Sequence, residues 1–225
     1  MARTRTLAEI GAEILHRGDL RSVRHDPNST ELTRQINQSI MRVYRRLCKI
    51  QPDWYMTSGD TAVTAGTYAY ALQADVYNVV GVDVLDGSYY YPLQRFNFAE
   101  RHAFQAGSGS KRACRYRVVG DYIHLRPTPG WSGTIVTWYN PLPTDLSAPT
   151  DTFDGIAGYE ELVILDAIIK FKAMDGDGEE AAIFAAQLKD AFKELEQEAA
   201  DRDAGEPDRW RDPDAERLAT GWPSW

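Results

Sequence analysis

The stretch at 174–180, MDGDGEE, alternates Asp175, Asp177 and Glu179 in the manner of a calcium-binding loop. An EF-hand loop opening at Asp175 needs a bidentate glutamate at its twelfth position, and that position is Ala186. The stretch therefore reads as a helix stop, a turn, and two acids in the first turn of the next helix, where the macrodipole favours them. The stretch at 106–113, AGSGSKRA, has the glycines and lysine of a phosphate loop without their spacing. In that motif the lysine follows the second glycine and opens a helix whose N-terminus faces the phosphates. Here Lys111 follows Ser110 and leads towards a strand, so the stretch reads as a flexible basic loop.

The remaining reactive side chains form no constellation. His16, His25, His102 and His124 lack metal-ligand spacing, and neither HExxH nor GxSxG occurs. Cys48 falls on a helix pattern and Cys114 in a polar stretch before a strand, which predicts free thiols in a reducing cytoplasm. The carboxylate pairs Glu160/Glu161 and Glu179/Glu180 each fall in a helix first turn, where capping explains them. The chain reads as a non-enzyme with no cofactor and no metal.

The elements that carry these residues follow from hydrophobic period. Leu7, Ile10, Ile14 and Leu15 make one helical stripe that Gly18 stops. Leu32, Ile36, Ile40, Val43, Leu47 and Ile50 make a longer one, opened by Ser29 or Thr30 as N-cap and ended by Pro52. From residue 60 the period becomes two. TAVTAGTYAYAL reads as a hairpin about Gly66, VYNVVGVDVLDGSYYYPLQ as one about Asp86-Gly87, RYRVVGDYIHLRP as one about Gly120-Asp121, and SGTIVTWYN as a further strand. NFAERHAF reads as a short helix. After a proline-rich link, Leu162, Val163, Ile164, Leu165, Ala167, Ile168, Ile169 and Phe171 leave a helix with no polar face, which must be buried. Phe184, Leu188, Ala191, Phe192 and Leu195 stripe a last helix, joined to the previous one as a hairpin.

The fold class is therefore α+β. A bundle of about four helices, two N-terminal and two C-terminal, carries an inserted antiparallel β domain and an extended C-terminal tail. The expected division is 1–58, 59–142, 143–202 and 203–225. No apolar run approaches the roughly 18 residues a membrane span requires. Charge is uneven: residues 1–117 carry a net +5 and residues 118–225 a net −13, for −8 in all. A nucleic-acid-gripping protein is normally basic overall, so the pattern points to an oriented surface. Three of the six tryptophans, Trp210, Trp222 and Trp225, lie in the acidic, proline- and glycine-containing tail. The run Tyr89-Tyr90-Tyr91 must place rings on both faces of its strand, so either both faces are covered or one meets a partner.

The order of the segments YALQADVYNVVGVDV, RFNFAER, LRPTP, DGIAGYEELVILDAIIK and ADRDAGEP resembles the head–tail connector adaptor proteins of tailed phages, also called head completion or neck proteins. The resemblance runs from about residue 5 to 212 and includes no catalytic motif. It implies a subunit of a ring, twelve-fold in the family, joining the capsid portal to the tail and extending the DNA channel. It implies the portal, a tail or nozzle protein and neighbouring adaptors as partners. Packaged DNA would pass through without sequence-specific binding, and no membrane is involved. The location implied is the virion neck, after assembly in the host cytoplasm. On this resemblance Trp210, Trp222 and Trp225 become anchors in clefts of the portal or of an adjacent adaptor. Lys111, Arg112, Arg115 and Arg117 become contacts to DNA or to an acidic partner, and Glu180, Asp190, Glu194 and Glu198 an acidic channel lining. Two alternatives stand beside it. One is a tail-side tube or terminator component, against which the four helical segments argue. The other is a DNA-packaging accessory protein that uses Arg34, Arg42, Arg45 and Arg46 of the second long helix.

Overall fold

The computed structural model describes residues 5–20, 29–102, 109–153 and 159–202, without the side chains of residues 100 and 198–202. Capping chemistry sets the helix starts. Strand β1 (Arg5–Thr6) leads directly into α1 (Leu7–Arg17), where Thr6 and Glu9 form a reciprocal capping box. Helix α2 (Thr30–Ile50) starts at Ser29, whose Oγ accepts from the Leu32 amide at 3.1 Å. It stops before Pro52, which opens a 3₁₀ turn over Pro52–Tyr55. Gly176, at φ +81°, turns the chain, and Asp177 then caps α4 by accepting from the Glu180 amide at 3.3 Å. Helices α3 (Tyr159–Asp175) and α4 (Gly178–Arg202) thus form the expected hairpin, and MDGDGEE is the turn and cap read from sequence.

Helix α3 is the centre of the helical layer. It packs against α1, α2 and α4, and Leu162, Val163, Ile164, Leu165, Ala167, Ile168 and Phe171 are all buried. Burial of a large apolar side chain contributes about 1.5–3 kcal/mol, so the helix is held against three neighbours, with Ile169 alone of the apolar run left half-buried. The helix also buries charges that the apolar run conceals, Glu160, Asp166 and Lys172. Asp166 is 1 % exposed, with Arg42 Nη1 of α2 at 2.9 Å and Lys170 Nζ at 3.2 Å. Lys170 in turn donates to the fully buried Ser39 Oγ of α2 at 2.9 Å. Ser39 with Lys170 and Arg42 with Asp166 set α3 antiparallel to α2.

The β layer holds two four-stranded sheets. The strands are β2 (Thr57–Val63), β3 (Ala69–Ala71), β4 (Val76–Asp86), β5 (Tyr89–Pro92), β6 (Gln94–Arg95), β7 (Arg115–Val119), β8 (Tyr122–Arg126) and β9 (Gly133–Pro141). One sheet runs β2-β9-β4-β5 and the other β3-β8-β7-β6. They share a core of Val63, Val79, Val82, Val84, Tyr116, Ile123, Leu125 and Ile135. Ile123 and Leu125 point in because they are two apart on one strand, while Tyr122 points out. Hairpins form as expected at Gly87 (φ +63°) and Gly120 (φ +58°). The link β6–β7 is parallel, in a region expected to be mostly antiparallel. A last strand, β10 (Thr152–Phe153), pairs with β1.

Two expectations fail here. The segment around Gly66 turns, but it is not a hairpin: β2 pairs with β9 and β3 with β8, in different sheets. Gly66 marks a corner, where Tyr70 Oη lies 2.7 Å from Thr67 O and the Gly66 amide donates to Pro129 O at 2.8 Å. Nor is the described half of the basic loop free. The Gly109 amide donates to Thr128 O at 2.9 Å, the Cys114 amide to Ser110 O at 3.2 Å, and the Gly130 amide to Gly109 O at 3.1 Å.

Helical and β layers meet through polar clamps and a run of rings. Tyr44 Oη donates to Pro141 O at 2.5 Å, and Asn140 Nδ2 to Pro52 O at 2.6 Å. The rings of Tyr44, Tyr55, Tyr159 and Phe153 follow one another at centroid distances of 4.9, 5.9 and 5.5 Å.

The Asp166 site yields a test in two variants beside the wild type. Replacing both Arg42 and Lys170 by Met strands a buried carboxylate and lowers stability by about 3–5 kcal/mol. Asp166→Leu, which removes the charge, costs much less or stabilises the fold. Urea unfolding of the three chains measures the order.

Candidate functional site

The described surface carries three sets of chemistry-bearing side chains: a basic turn, an acidic helix and a basic helix face. At the turn, Lys111 Nζ pairs with Asp86 Oδ1 at 2.5 Å. Arg112 donates to Tyr91 Oη at 2.8 Å with its guanidinium 4.5 Å from that ring's centre. Both cations grip the β4–β5 hairpin. Arg117 donates to Phe96 O at 3.2 Å, and Arg115 stands opposite Arg126 in the sheet and is also engaged. The four basic residues thus divide between the hairpin and strand β7, and do not converge on one ligand.

Along α4, Glu180 pairs with Lys172 at 2.5 Å and raises that lysine's pKa, chiefly through their hydrogen bond. Asp190 lies 3.3 Å from Lys193, and Glu194 is exposed. The side chain of Glu198 and all of Trp210, Trp222 and Trp225 lie outside the described residues.

Helix α2 offers the most continuous basic surface. Gln38, Met41, Arg42, Arg45, Arg46 and Lys49 follow one another at helical spacing and line a shallow groove of about 540 Å³. Two of its cations already face carboxylates, Arg42 on Asp166 and Arg46 on Glu196 of α4 at 3.5 Å. Arg46 also lies 3.9 Å from the Phe192 ring centre, and Arg45 lies 6.0 Å from that of Tyr77. Arg34 is occupied by Glu31, whose carboxyl is held down at about 2, chiefly by hydrogen bonding from Arg34. Of the basic helix face read from sequence, Arg42 and Arg46 hold α2 to its neighbours and Arg34 pairs within the helix.

Sequence reading left two surface features undetermined or unseen. Tyr89 and Tyr90 are 71 % and 55 % exposed on β5, an edge strand of its sheet, so the triple tyrosine is not covered on both sides. Ile183 and Met174 are exposed at the α3–α4 end, where the apolar stripes of the two helices had drawn attention inward. The other reactive candidates have structural roles. His124 packs edge-on to Tyr68 at 5.3 Å, and burial lowers its pKa, with Arg126 adding to the effect. Cys48 and Cys114 are free and buried. Among the described residues, no cluster of three or more His, Cys, Asp or Glu could hold a metal ion.

What decides the matter is coverage. The family model described as SU10 adaptor protein matches residues 5–213, from β1 to beyond the end of α4. The chain belongs to the SU10 adaptor family. No curated protein matches it. This is a family of phage head–tail adaptors, so the chain is a bacteriophage structural protein, and membership implies interaction with other phage head and tail proteins. Membership points to a virion component, and no described helix is long and apolar enough to cross a membrane. The match takes in Trp210 and stops short of Trp222 and Trp225.

Burial pushes both thiols above the ordinary cysteine value, and the thiolate is the reactive form. Ellman's reagent at mildly alkaline pH is expected to modify neither cysteine at a useful rate in the native protein. Both should react at once in denaturant.

Proposed function

We propose that this adaptor joins the capsid portal to the tail, as one subunit of a ring that lengthens the DNA channel. The observation that carries the reading is the family match, which takes in every described helix and strand. In this reading the helical segments 1–58 and 143–202 act as one unit, the β region 59–142 as a second, and residues 203–225 as a docking arm. Trp210, Trp222 and Trp225 are its anchors, seated in clefts of the portal or of an adjacent adaptor. Indoles suit an arm that must be ordered on binding, because each buries a large area for little lost rotamer freedom. Each buried indole contributes about 2–4 kcal/mol. Neighbouring subunits in a ring hold each arm at high effective concentration, which multiplies a modest affinity.

The charge pattern supports passage of DNA without a grip on it. Every phosphate contact adds affinity and would slow the duplex. Asp190 and Glu194, exposed on α4, present carboxylates that repel it. The packaging-accessory alternative is weakened because Arg34, Arg42 and Arg46 already face Glu31, Asp166 and Glu196.

Deleting residues 205–225 tests the docking arm. The truncated chain is expected to remain folded, with a cooperative unfolding transition, and to lose co-sedimentation with portal rings. Normal co-sedimentation would refute the arm.

A further inference from the structure

The groove along α2 and the C-terminal segment have complementary chemistry, and the course of α4 brings them together. We propose that in the unassembled subunit the α2 groove holds residues 203–225 of the same chain, until a partner draws the segment away. The inference goes beyond the docking role above and stands whether or not the segment later reaches a portal.

Charge is the first argument. Of the four groove cations, Arg42 and Arg46 face Asp166 and Glu196, but Arg45 and Lys49 have no carboxylate partner among the described residues. The segment 203–225 carries six acids against three arginines. A net-negative segment fits a groove with two cations unmatched among the described residues. Side-chain type is the second argument. Guanidinium groups sit favourably over indole faces, and arginine and lysine stems cover apolar surface while their heads stay wet. Met41 supplies an adaptable apolar floor. Three tryptophans among acids are the matching ligand chemistry.

Delivery is the third argument. Ser39–Lys170 and Arg42–Asp166 run α3 antiparallel to α2, and the turn at Gly176 reverses α4, so α4 runs parallel to α2. Arg46 of α2 meets both Phe192 and Glu196 of α4. The helix continues from Glu196 to Arg202, about 9 Å at 1.5 Å per residue. The segment therefore departs beside the Lys49 end of the groove. From Gln38 to Lys49 the groove follows about 16 Å of helix, which roughly five extended residues span. A tethered segment with so short a distance to cover has a millimolar-range effective concentration, so a weak contact is enough to fill the groove.

Phosphate backbones would be drawn to the same unmatched cations. With the segment in place the free subunit presents carboxylates there instead, which keeps it off nucleic acid before assembly.

The test uses the full chain with ¹⁵N-labelled tryptophan, read through the indole Nε1–H resonances. Trp210, Trp222 and Trp225 are assigned by single Trp→Phe changes. At low ionic strength at least one of these signals is expected to lie away from the solvent-exposed position, since the groove seats only part of the segment, and to move to it with added salt or in Arg45→Glu/Lys49→Glu. Trp54, Trp131 and Trp138 should not move, which shows that the variant is folded; Arg45→Gln/Lys49→Gln serves if it is not. Tail signals all at the solvent position in the wild type, or all unmoved by the variants, overturn the proposal. So do shifts that depend on protein concentration, which place the segment on a second copy. Equal affinity for a duplex oligonucleotide with and without residues 205–225 also overturns it, because the groove would then be open to DNA. Failure of the docking arm is told apart by portal co-sedimentation, which Arg45→Glu/Lys49→Glu should retain while the deletion loses it.

Discussion

A carboxylate removed from water fixes the arrangement of the helices. Asp166 occupies the α2–α3 contact at 1 % exposure, where an isolated charge would be intolerable. It is tolerated because Arg42 reaches it from α2 and Lys170 from its own helix, and because Lys170 also bonds Ser39. The apolar residues of α3 would accept several rotations or one-turn slides against α2, since oily surfaces discriminate weakly between registers. The charged set accepts one. With α3 placed, α4 follows through the turn at Gly176 and Asp177, and α1 closes the remaining side.

The β layer is positioned by a different device. Tyr44 and Asn140 tie backbone carbonyls of one layer to side chains of the other, and the rings from Tyr44 to Phe153 fill the space between. These groups bring chain segments far apart in sequence into one contact, from α2, the 3₁₀ turn, β10 and the start of α3. The chemistry that first drew notice in the sequence has a structural destination. The acids of MDGDGEE start a helix, and the lysine of AGSGSKRA holds a hairpin. What remains at the surface suits contact with other macromolecules, in keeping with membership of the SU10 adaptor family.

Local signals were legible and long-range ones were not. All four helices could be read because their apolar stripes and caps lie within a few residues of each other. Gly87 and Gly120 revealed hairpins for the same reason. Gly66 revealed a turn but not its consequence, since whether β3 returns to β2 or crosses to β8 depends on residues some fifty positions away. The segment LVILDAIIK did carry a signal for the buried charge: one aspartate in an apolar run, with lysine four residues later. Its partner Arg42 could not be read, because that pairing exists only once two helices meet. The grip of Arg112 on Tyr91 was hidden likewise. For the interaction surfaces, sequence pointed to charge and aromatic content, while packing determined which cations remain unmatched.

The pairing of β2 with β9 has an architectural consequence. Thr57 lies opposite Tyr139, so the chain enters and leaves the sheets side by side, about 5 Å apart as neighbouring strands must be. Most of what lies between hangs from this two-strand stem, anchored at Pro52 and Asn140, with Tyr77 of β4 as a further contact to Tyr44 and Arg45 of α2. A hanging structure of this kind can be enlarged, trimmed or exchanged without rewinding a single helix. Evolution can thus revise what this adaptor presents on its β side while the helical frame keeps its shape.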